Sequence, residues 1–301
     1  MTSLPGVYTP LATPFAADGS LDERGLEANV GRYMQSPLTG LVVLGSNGEA
    51  PQLEDAEADR AIAVVRRAMP KDRPLLAGTG RESTAATIAA TERAARLGAD
   101  AVLVRTPAFY KGQMTTDAFV RHYTQVADRS PVPVLLYNVT IYTGVNLLPD
   151  AIATLSRHPN IAGIKETNSD MVQFGEYLAR AKDGFIVLAG SAGTYYSALA
   201  LGAHGAILAV GGVAPDLCVR IFTLAREGRF EEARTLHRTL APLAKLVGAT
   251  YGVPGLKAAL DLIGYAGGVP RSPLQPVGAP AIAQIREQLH ALNLLAAHAS
   301  H

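Results

Sequence analysis

Eight short apolar runs, each the length of a β-strand, recur along the chain and constrain its fold more than any other feature. Most are followed by a stretch of helical character that is rich in Ala, Leu, Arg and Glu. The runs are residues 7–12, 40–44, 74–77, 101–104, 132–138, 161–165, 185–189 and 206–209. They are unbroken rather than alternating, as expected for parallel strands covered by helices. The pattern predicts an α/β fold, a (β/α)8 TIM barrel, with a doubly wound open sheet as the alternative.

Two junctions between a helical stretch and the next apolar run are near copies of each other. One reads Ala95-Arg-Leu-Gly-Ala-Asp-Ala-Val-Leu and the other Ala200-Leu-Gly-Ala-His-Gly-Ala-Ile-Leu. Gly98 and Gly202 stand where a helix ends in a left-handed cap, and a buried strand follows at once. The repeat supports strand–helix alternation along the chain.

The pattern changes after residue 209, where the chain becomes helical in character. The predicted helices are residues 216–227, 230–247, 254–262 and 280–297, with a loop rich in Gly and Pro at 264–276. The first of these helices can complete the barrel, and the other three would pack outside it. We therefore expect a barrel over residues 1–228 and a docked C-terminal helical bundle over residues 229–301.

Composition narrows the class of protein and its surroundings. The 301 residues are 48% hydrophobic and 18% charged, enough for a large core, and the net charge of +1 has no long block of one sign. Nothing therefore indicates a nucleic-acid or anionic-membrane partner. The single cysteine, Cys218, excludes an internal disulfide framework and fits a reducing compartment. No export signal or membrane-spanning run is visible, so we expect a soluble, cytoplasmic protein.

A lysine and a tyrosine end two neighbouring apolar runs. Strand parity groups Lys165 with Ile161 and Gly163 on one face, and Tyr137 with Leu135 on one face of the preceding run. In a barrel, an amine and a phenol would then meet at the rim where β/α barrels carry their chemistry. A lysine in a dry pocket loses its proton and becomes a nucleophile for ketone carbons. The pair suggests a Schiff-base enzyme acting on a 2-oxo acid, although a solvated lysine is the alternative.

Two loops at the same rim carry further candidate residues. Gly45-Ser46-Asn47-Gly48-Glu49 turns sharply after the second run and exposes successive N–H groups that suit a carboxylate, while Ser46 adds a hydroxyl. An ordinary strand-to-helix turn is the alternative for that loop. Tyr110 lies in the loop after the fourth run, where a packing aromatic is the alternative. The seven histidines show no convincing metal spacing, so we expect no metal, with ligands scattered over several strands as the alternative. We expect no external cofactor either, because a lysine that forms an imine supplies the electron sink itself.

The chain resembles the dihydrodipicolinate synthase/N-acetylneuraminate lyase family of class I pyruvate aldolases. The resemblance runs from Gly6-Val-Tyr-Thr-Pro-Leu-Ala-Thr-Pro14 to Arg271-Ser-Pro-Leu274 and covers most of the chain. Its motifs are specific in combination: Gly45-Ser-Asn-Gly-Glu49, Tyr137-Asn138, Gly163-Ile-Lys165-Glu and Ala189-Gly-Ser-Ala-Gly193. The resemblance implies a barrel with a C-terminal helical bundle, usually assembled as a homotetramer that is a dimer of dimers.

The resemblance also implies a role for each candidate side chain. Lys165 would form the imine with pyruvate, and Tyr137 would be the acid–base phenol. Backbone groups of Ser46 and Asn47 would hold the carboxylate. The Ser46 hydroxyl would link Tyr137 to Tyr110, which in this family often reaches in from a neighbouring subunit.

The substrate is indicated by departures from the family pattern. In the dihydrodipicolinate synthases an arginine shortly after the Tyr-Asn strand binds a substrate carboxylate, but here the loop reads Val139-Thr-Ile-Tyr142-Thr-Gly144. Losing that guanidinium removes a bidentate anchor. Four other motifs look most like those of the 4-hydroxy-2-oxoglutarate aldolases, which cleave their substrate to pyruvate and glyoxylate. They are Pro159-Asn-Ile-Ala-Gly-Ile-Lys165, Ala189-Gly-Ser-Ala-Gly193, Tyr251-Gly-Val-Pro-Gly-Leu-Lys257 and Gly264-Tyr-Ala-Gly-Gly268. By that resemblance Thr167, Gly190, Ser191 and Tyr142 would line the substrate pocket.

Several alternatives share the scaffold. The same imine chemistry serves sugar-acid aldolases and dehydratases, N-acetylneuraminate lyase and dihydrodipicolinate synthase. A non-catalytic 2-oxo-acid sensor would bind pyruvate without turnover. The sequence disfavours a sensor, because the lysine, both tyrosines and the serine are all present. A barrel of unrelated function would give no covalent adduct.

Overall fold

The eight apolar runs form a closed barrel. The computed structural model describes residues 4–295. Within them the strands are parallel and paired in chain order, and β8 pairs with β1 to close the ring. They are β1 (Gly6–Pro10), β2 (Gly40–Val43), β3 (Leu75–Gly78), β4 (Ala101–Arg105), β5 (Val134–Asn138), β6 (Ile161–Glu166), β7 (Ile186–Ala189) and β8 (Gly205–Ile207). The predicted barrel is confirmed, and the open sheet is excluded.

Helices surround the barrel and continue beyond it. Those in the described residues are α1 (Glu23–Tyr33), α2 (Asp55–Ala68), α3 (Thr84–Arg96), α4 (Thr116–Arg129), α5 (Thr140–Thr143), α6 (Pro149–Leu155), α7 (Met171–Arg180), α8 (Tyr195–Ala200), α9 (Pro215–Arg226), α10 (Phe230–Lys245), α11 (Gly252–Leu262) and α12 (Ala279–Ala291). Between residues 4 and 295 no helix is long and apolar enough to cross a membrane.

Two separate apolar clusters hold the layers together. One fills the barrel and includes Tyr8, Val42, Leu103 and Leu135. The other, larger cluster lies between the outer faces of the strands and the helices. Strands buried on both faces explain why the sequence shows continuous apolar runs instead of alternation.

The repeated junctions cap their helices as predicted. Gly98 has φ +94° and Gly202 has φ +104°, both in the left-handed region. The amide of Ala99 bonds back to the carbonyl of Ala94 after α3, and the amide of Ala203 bonds back to Ala198 after α8. Each cap turns the chain directly into the next strand.

The C-terminal helices follow the predicted order with shifted ends. The predicted helix over 230–247 ends at Lys245 and passes into one π-helical turn, Leu246–Thr250, before α11. The last helix ends at Ala291, well before the predicted residue 297, which lies outside the described residues. Gly228, at φ +76°, separates α9 from α10. The proposed division of the chain between residues 228 and 229 stays a prediction.

One expectation about strand parity is wrong. Ile161 was expected to share a face with Lys165, but the register between β5 and β6 shifts after Ile161, which packs in the outer cluster. Ile164 also packs outward. The irregularity adds a residue to β6 and lets Lys165 point inward although Ile161 does not.

Candidate active site

Lys165 and Tyr137 lie side by side at the carboxyl ends of β6 and β5. They are directly paired in the strand register, and Nζ of Lys165 lies 4.2 Å from the centre of the Tyr137 ring. Both side chains are buried, with 4% of Lys165 and 5% of Tyr137 exposed. The amine and the phenol therefore meet at the end of the barrel where β/α enzymes carry their sites.

Burial sets the charge state of the lysine. Desolvation lowers the pKa of Lys165 from 10.5 to about 7, because water cannot reach the amine to stabilise its charge. A substantial fraction of the side chain is then neutral near pH 7. A neutral amine carries the lone pair that attacks a carbonyl carbon.

The phenol of Tyr137 is part of a short chain of hydroxyl groups. Its oxygen lies 3.3 Å from Oγ of Ser46. Burial raises the pKa of Tyr137 to about 12; the Ser46 hydrogen bond lowers it, and the Glu166 carboxylate raises it. The phenol of Tyr137 is therefore protonated at neutral pH, and the Ser46 hydroxyl is the group in contact with it.

The turn at residues 45–49 brings free backbone donors to the same rim. Ser46–Gly48 is a single 3₁₀ turn. Within residues 4–295 the N–H groups of Ser46 and Asn47 donate to no acceptor, whereas that of Gly48 bonds to the carbonyl of Gly45. Adjacent unpaired N–H groups of this kind suit a carboxylate. Carboxylate binding by this turn stays a prediction.

Leu44 and Gly78 determine where this turn begins. Leu44 has φ +58°, an uncommon conformation for a branched side chain. A Cβ at residue 78 on β3 would lie only 1.9 Å from the carbonyl oxygen of Leu44. Only glycine therefore fits at that position. The sequence alone gives Gly78 no role at this turn, because only the folded barrel brings β3 against it.

Thr167 and Gly190 form the wall beside the lysine. Oγ1 of Thr167 donates to the carbonyl of Asn138 at 2.7 Å. A Cβ at residue 190 would lie 2.3 Å from Cγ2 of Thr167 and 3.0 Å from Cε of Lys165. Gly190 therefore permits the close approach of β6 and the loop after β7. Ser191 follows it and is half-buried.

The two remaining predicted tyrosines differ in position. Tyr142 lies on α5 with 61% of its side chain exposed; burial around its hydroxyl raises the pKa of Tyr142, and Tyr137 adds to the shift. Tyr110 is 70% exposed and packs edge-on against Phe109, with ring centres 5.0 Å apart. Within a single subunit, Tyr142 is close enough to Tyr137 for its own titration to be affected, whereas Tyr110 lies at the surface.

A buried polar network behind the pair was not predicted from the sequence. Nδ2 of Asn138 donates to Glu166 at 2.8 Å and to Asn146 at 2.7 Å, and Gln173 donates to the Tyr177 hydroxyl at 2.7 Å. Burial raises the pKa of Glu166 despite these bonds. Asn138 and Glu166 directly follow Tyr137 and Lys165, so the network fixes the strand ends that carry the candidate catalytic groups.

A cavity of about 280 Å³ opens beside Tyr137. Tyr137 and Ser46 line it on one side, and Arg81 and Arg105 on another. Both guanidinium groups are already paired, Arg81 with Asp55 at 3.0 Å and Arg105 with Glu82 at 2.7 Å. The space accepts a small molecule next to the phenol.

The donor set of the site is an amine, hydroxyl groups and backbone amides. Within the described part of the chain, no three His, Cys, Asp or Glu side chains gather as metal ligands would. A closed β/α barrel with a buried lysine of lowered pKa at the carboxyl ends of its strands is the arrangement typical of a barrel enzyme that uses a lysine nucleophile.

Comparison with known proteins identifies the family. Residues 3–292 match the model of the dihydrodipicolinate synthetase family. The 4-hydroxy-tetrahydrodipicolinate synthase of Xanthomonas axonopodis pv. citri is 38% identical over 97% of each chain. A crystal structure of dihydrodipicolinate synthase from Thermotoga maritima is 31% identical, with a TM-score of 0.93 over 97% of this chain and 99% of that one. The chain belongs to the dihydrodipicolinate synthetase family, and it is a lyase of the class I, pyruvate-dependent aldolase type.

The comparisons support the family and not the narrower substrate prediction. The relatives they name are 4-hydroxy-tetrahydrodipicolinate synthases, for example that of Thermotoga neapolitana at 34% identity over 96% of this chain and 99% of the relative. The sequence motifs indicated 4-hydroxy-2-oxoglutarate aldolases instead. A further similar structure, 31% identical with a TM-score of 0.93 over 98% of both chains, is described as a monomeric dihydrodipicolinate synthase variant.

Proposed function

We propose that Lys165 forms a Schiff base with pyruvate or a pyruvate-derived 2-oxo acid. One observation carries the proposal: a buried amine with a pKa of about 7 lies against the phenol of Tyr137. The unpaired amides of Ser46 and Asn47 supply donors for the carboxylate of the same molecule.

The reaction follows from these groups. Neutral Lys165 attacks C2 of the 2-oxo acid, and Tyr137 donates the proton that leaves with the hydroxyl as water. The protonated imine withdraws electrons, so the C3–C4 bond breaks once the C4 hydroxyl loses its proton, with Tyr137 and Ser46 as the acceptor path. The enamine takes a proton at C3, and hydrolysis of the imine releases pyruvate and Lys165. The lysine itself supplies the electron sink.

For the particular reaction we propose cleavage of 4-hydroxy-2-oxoglutarate to pyruvate and glyoxylate. The supporting observation is that residues 139–147, between β5 and α6, contain no arginine. Tyr142, Thr167, Gly190 and Ser191 would instead line the pocket for the distal half of the substrate.

Synthesis of 4-hydroxy-tetrahydrodipicolinate is the second candidate, and the names of the relatives favour it. In that reaction the pyruvate enamine condenses with an aldehyde that carries its own carboxylate. Arg105 is the guanidinium that ends β4 in register with Tyr137, but its charge is paired with Glu82 at 2.7 Å. An incoming carboxylate would have to compete with that glutamate.

Two measurements test the proposal. Borohydride reduction in the presence of pyruvate, followed by peptide mapping, should give a stable adduct on Lys165 in the wild type and none in Lys165→Ala. No adduct in folded protein at neutral pH would exclude the Schiff-base mechanism. Rates with 4-hydroxy-2-oxoglutarate, and with pyruvate plus aspartate semialdehyde, then decide between the two substrates.

We also propose the assembly and the location implied by the sequence. A homotetramer, arranged as a dimer of dimers, would cover the exposed Phe109 and Tyr110 and carry Tyr110 toward a neighbour's Ser46. The single cysteine, Cys218, is buried and free, and burial raises the pKa of its thiol to about 12. An unreactive lone thiol is compatible with a cytoplasmic protein.

A further inference from the structure

The turn that offers its amides to the carboxylate is strained at both ends. Glu49, just after the turn, has φ +55°, and Leu44, just before it, has φ +58°. In residues 4–295 the only other non-glycine residue with positive φ is Asn293, near the end of the described chain. Strained backbone of this kind persists only where surrounding contacts hold it in place.

The contacts that hold Glu49 come from the C-terminal helical region. Nζ of Lys257, on α11, lies 2.5 Å from Oε1 of Glu49, and both side chains are 1% exposed. The backbone N–H of Arg271 donates to Oε2 of Glu49 at 2.8 Å. Both carboxylate oxygens are therefore held by residues more than 200 positions further along the chain.

The partners of Glu49 are themselves fixed. Lys257 also donates to the carbonyl of Val269 at 2.7 Å and lies over the ring of Phe15. Arg271 is anchored by two bonds from its guanidinium to Glu57, at 2.7 and 2.8 Å. The glutamate is thus bound by a rigid frame rather than by mobile side chains.

A buried ion pair is an inefficient way to stabilise a fold. Removing both charges from water is expensive, and apolar side chains of similar size often serve stability as well or better. What the pair provides here is a close, fully buried contact on the residue that ends the turn. That suggests a positional role for the pair.

We propose that Lys257 and Glu49 are positioning residues that hold the turn so that the amides of Ser46 and Asn47 point at the substrate carboxylate. This inference rests on the proposed function, because it assumes that the turn binds a 2-oxo acid. It assigns the C-terminal helical region a part in substrate binding.

The test compares two carbonyl compounds at the same lysine. Pyruvate carries a carboxylate, whereas hydroxyacetone is a ketone of similar size without one. Reductive trapping on Lys165, quantified by peptide mapping at a limiting concentration of each compound, measures how readily each one forms the imine. In Lys257→Met and in Glu49→Gln, trapping of pyruvate should fall about ten-fold or more, while trapping of hydroxyacetone should change by less than about two-fold.

Matched variants separate this role from general destabilisation. Asp100→Ala removes a partly buried ion pair with Arg66 and the hydrogen bond that Asp100 accepts from the amide of Leu75, at the opposite end of the barrel. It should lower stability without changing either trapping rate. Should Lys257→Met fail to fold, the double variant Lys257→Met/Glu49→Gln leaves no unpaired charge, and the same selective loss is expected.

The outcomes are distinct. An equal loss with both compounds, or unchanged trapping of pyruvate, would overturn the positioning role while leaving the Schiff base intact. Absence of any pyruvate adduct in the wild type would overturn the proposed function itself.

Discussion

The amine of Lys165 lies where water cannot stabilise an ammonium ion, so its protonation should control imine formation. With a pKa of about 7, roughly a tenth of the lysine is neutral at pH 6 and roughly nine tenths at pH 8. The rate of trapping with pyruvate and cyanoborohydride should therefore rise about ten-fold between these values and then level off. A rate that keeps rising through pH 9 and 10 would indicate an ordinary, solvated lysine.

The same lowered pKa predicts a stability change. Lys165 has a pKa of about 7 when folded and 10.5 when exposed, so the unfolded chain binds more protons between these values. The resulting penalty is largest at pH 7 and below and disappears as the pH approaches 10.5. Lys165→Met should be more stable than the wild type at pH 7, by on the order of a few kcal/mol, and the difference should shrink toward pH 10. Urea unfolding at both pH values measures it, and a difference that does not vary with pH would contradict it.

Tyr137 makes a separate prediction at the residue scale. Tyr137→Phe keeps the ring over Lys165 and removes only the hydroxyl that lies 3.3 Å from Ser46. Pyruvate should still bind, whereas turnover should fall on the order of 100-fold to 10,000-fold, because a positioned acid–base group is lost. Steady-state kinetics measures the loss of turnover, and Tyr251→Phe is the control variant. Tyr251 donates a hydrogen bond from its hydroxyl to Gln284 on α12. Turnover within two-fold of wild type would remove Tyr137 from the mechanism.

At the scale of elements, the packing of β6 against the loop after β7 depends on Gly190. Gly190→Ala places a Cβ against Thr167 and close to Lys165. We expect kcat/KM to fall on the order of 100-fold through displacement of the lysine. Thr167→Ser in that background removes the methyl group in conflict and should restore part of the activity.

A matched glycine serves as the control for that prediction. Gly175 lies inside α7, and a Cβ there would meet nothing within 4 Å. Gly175→Ala should leave activity unchanged and raise stability slightly, as expected for an unstrained helical glycine. An inactive Gly175→Ala, or a fully active Gly190→Ala, would show that the close packing at Gly190 is not required.

The strands were predictable from the sequence, because a continuous run of apolar residues encodes each of them locally. Each strand was predicted to within about two residues at either end, because a strand buried on both faces needs a continuous apolar run. The bulge at the start of β6 and the π-turn after α10 were not predicted, since both depend on packing against neighbours. Lys257 escaped the site prediction for the same reason: its partner Glu49 is distant in sequence.

At the scale of the whole molecule, the site of one chain lacks one of its predicted members. Ser46 and Tyr137 are in contact, whereas Tyr110 is exposed beside Phe109. Ala108 and Phe109 both donate their amides to Glu82 at 2.8 Å, so the loop before Tyr110 is held in a defined position. Such a loop presents Tyr110 outward, where a second copy of the chain would meet it.

Subunit complementation tests whether Tyr110 acts across an interface. Lys165→Ala and Tyr110→Phe should each be impaired alone, but in a mixed dimer the Tyr110→Phe chain keeps its lysine and receives Tyr110 from its partner. Random pairing in a symmetric dimer then leaves about a quarter of all sites complete. Activity should recover toward that fraction after co-expression. Lys165→Ala mixed with Tyr137→Phe should recover nothing, because those two residues meet within one chain. Equal behaviour of the two mixtures would confine the proton path to a single subunit.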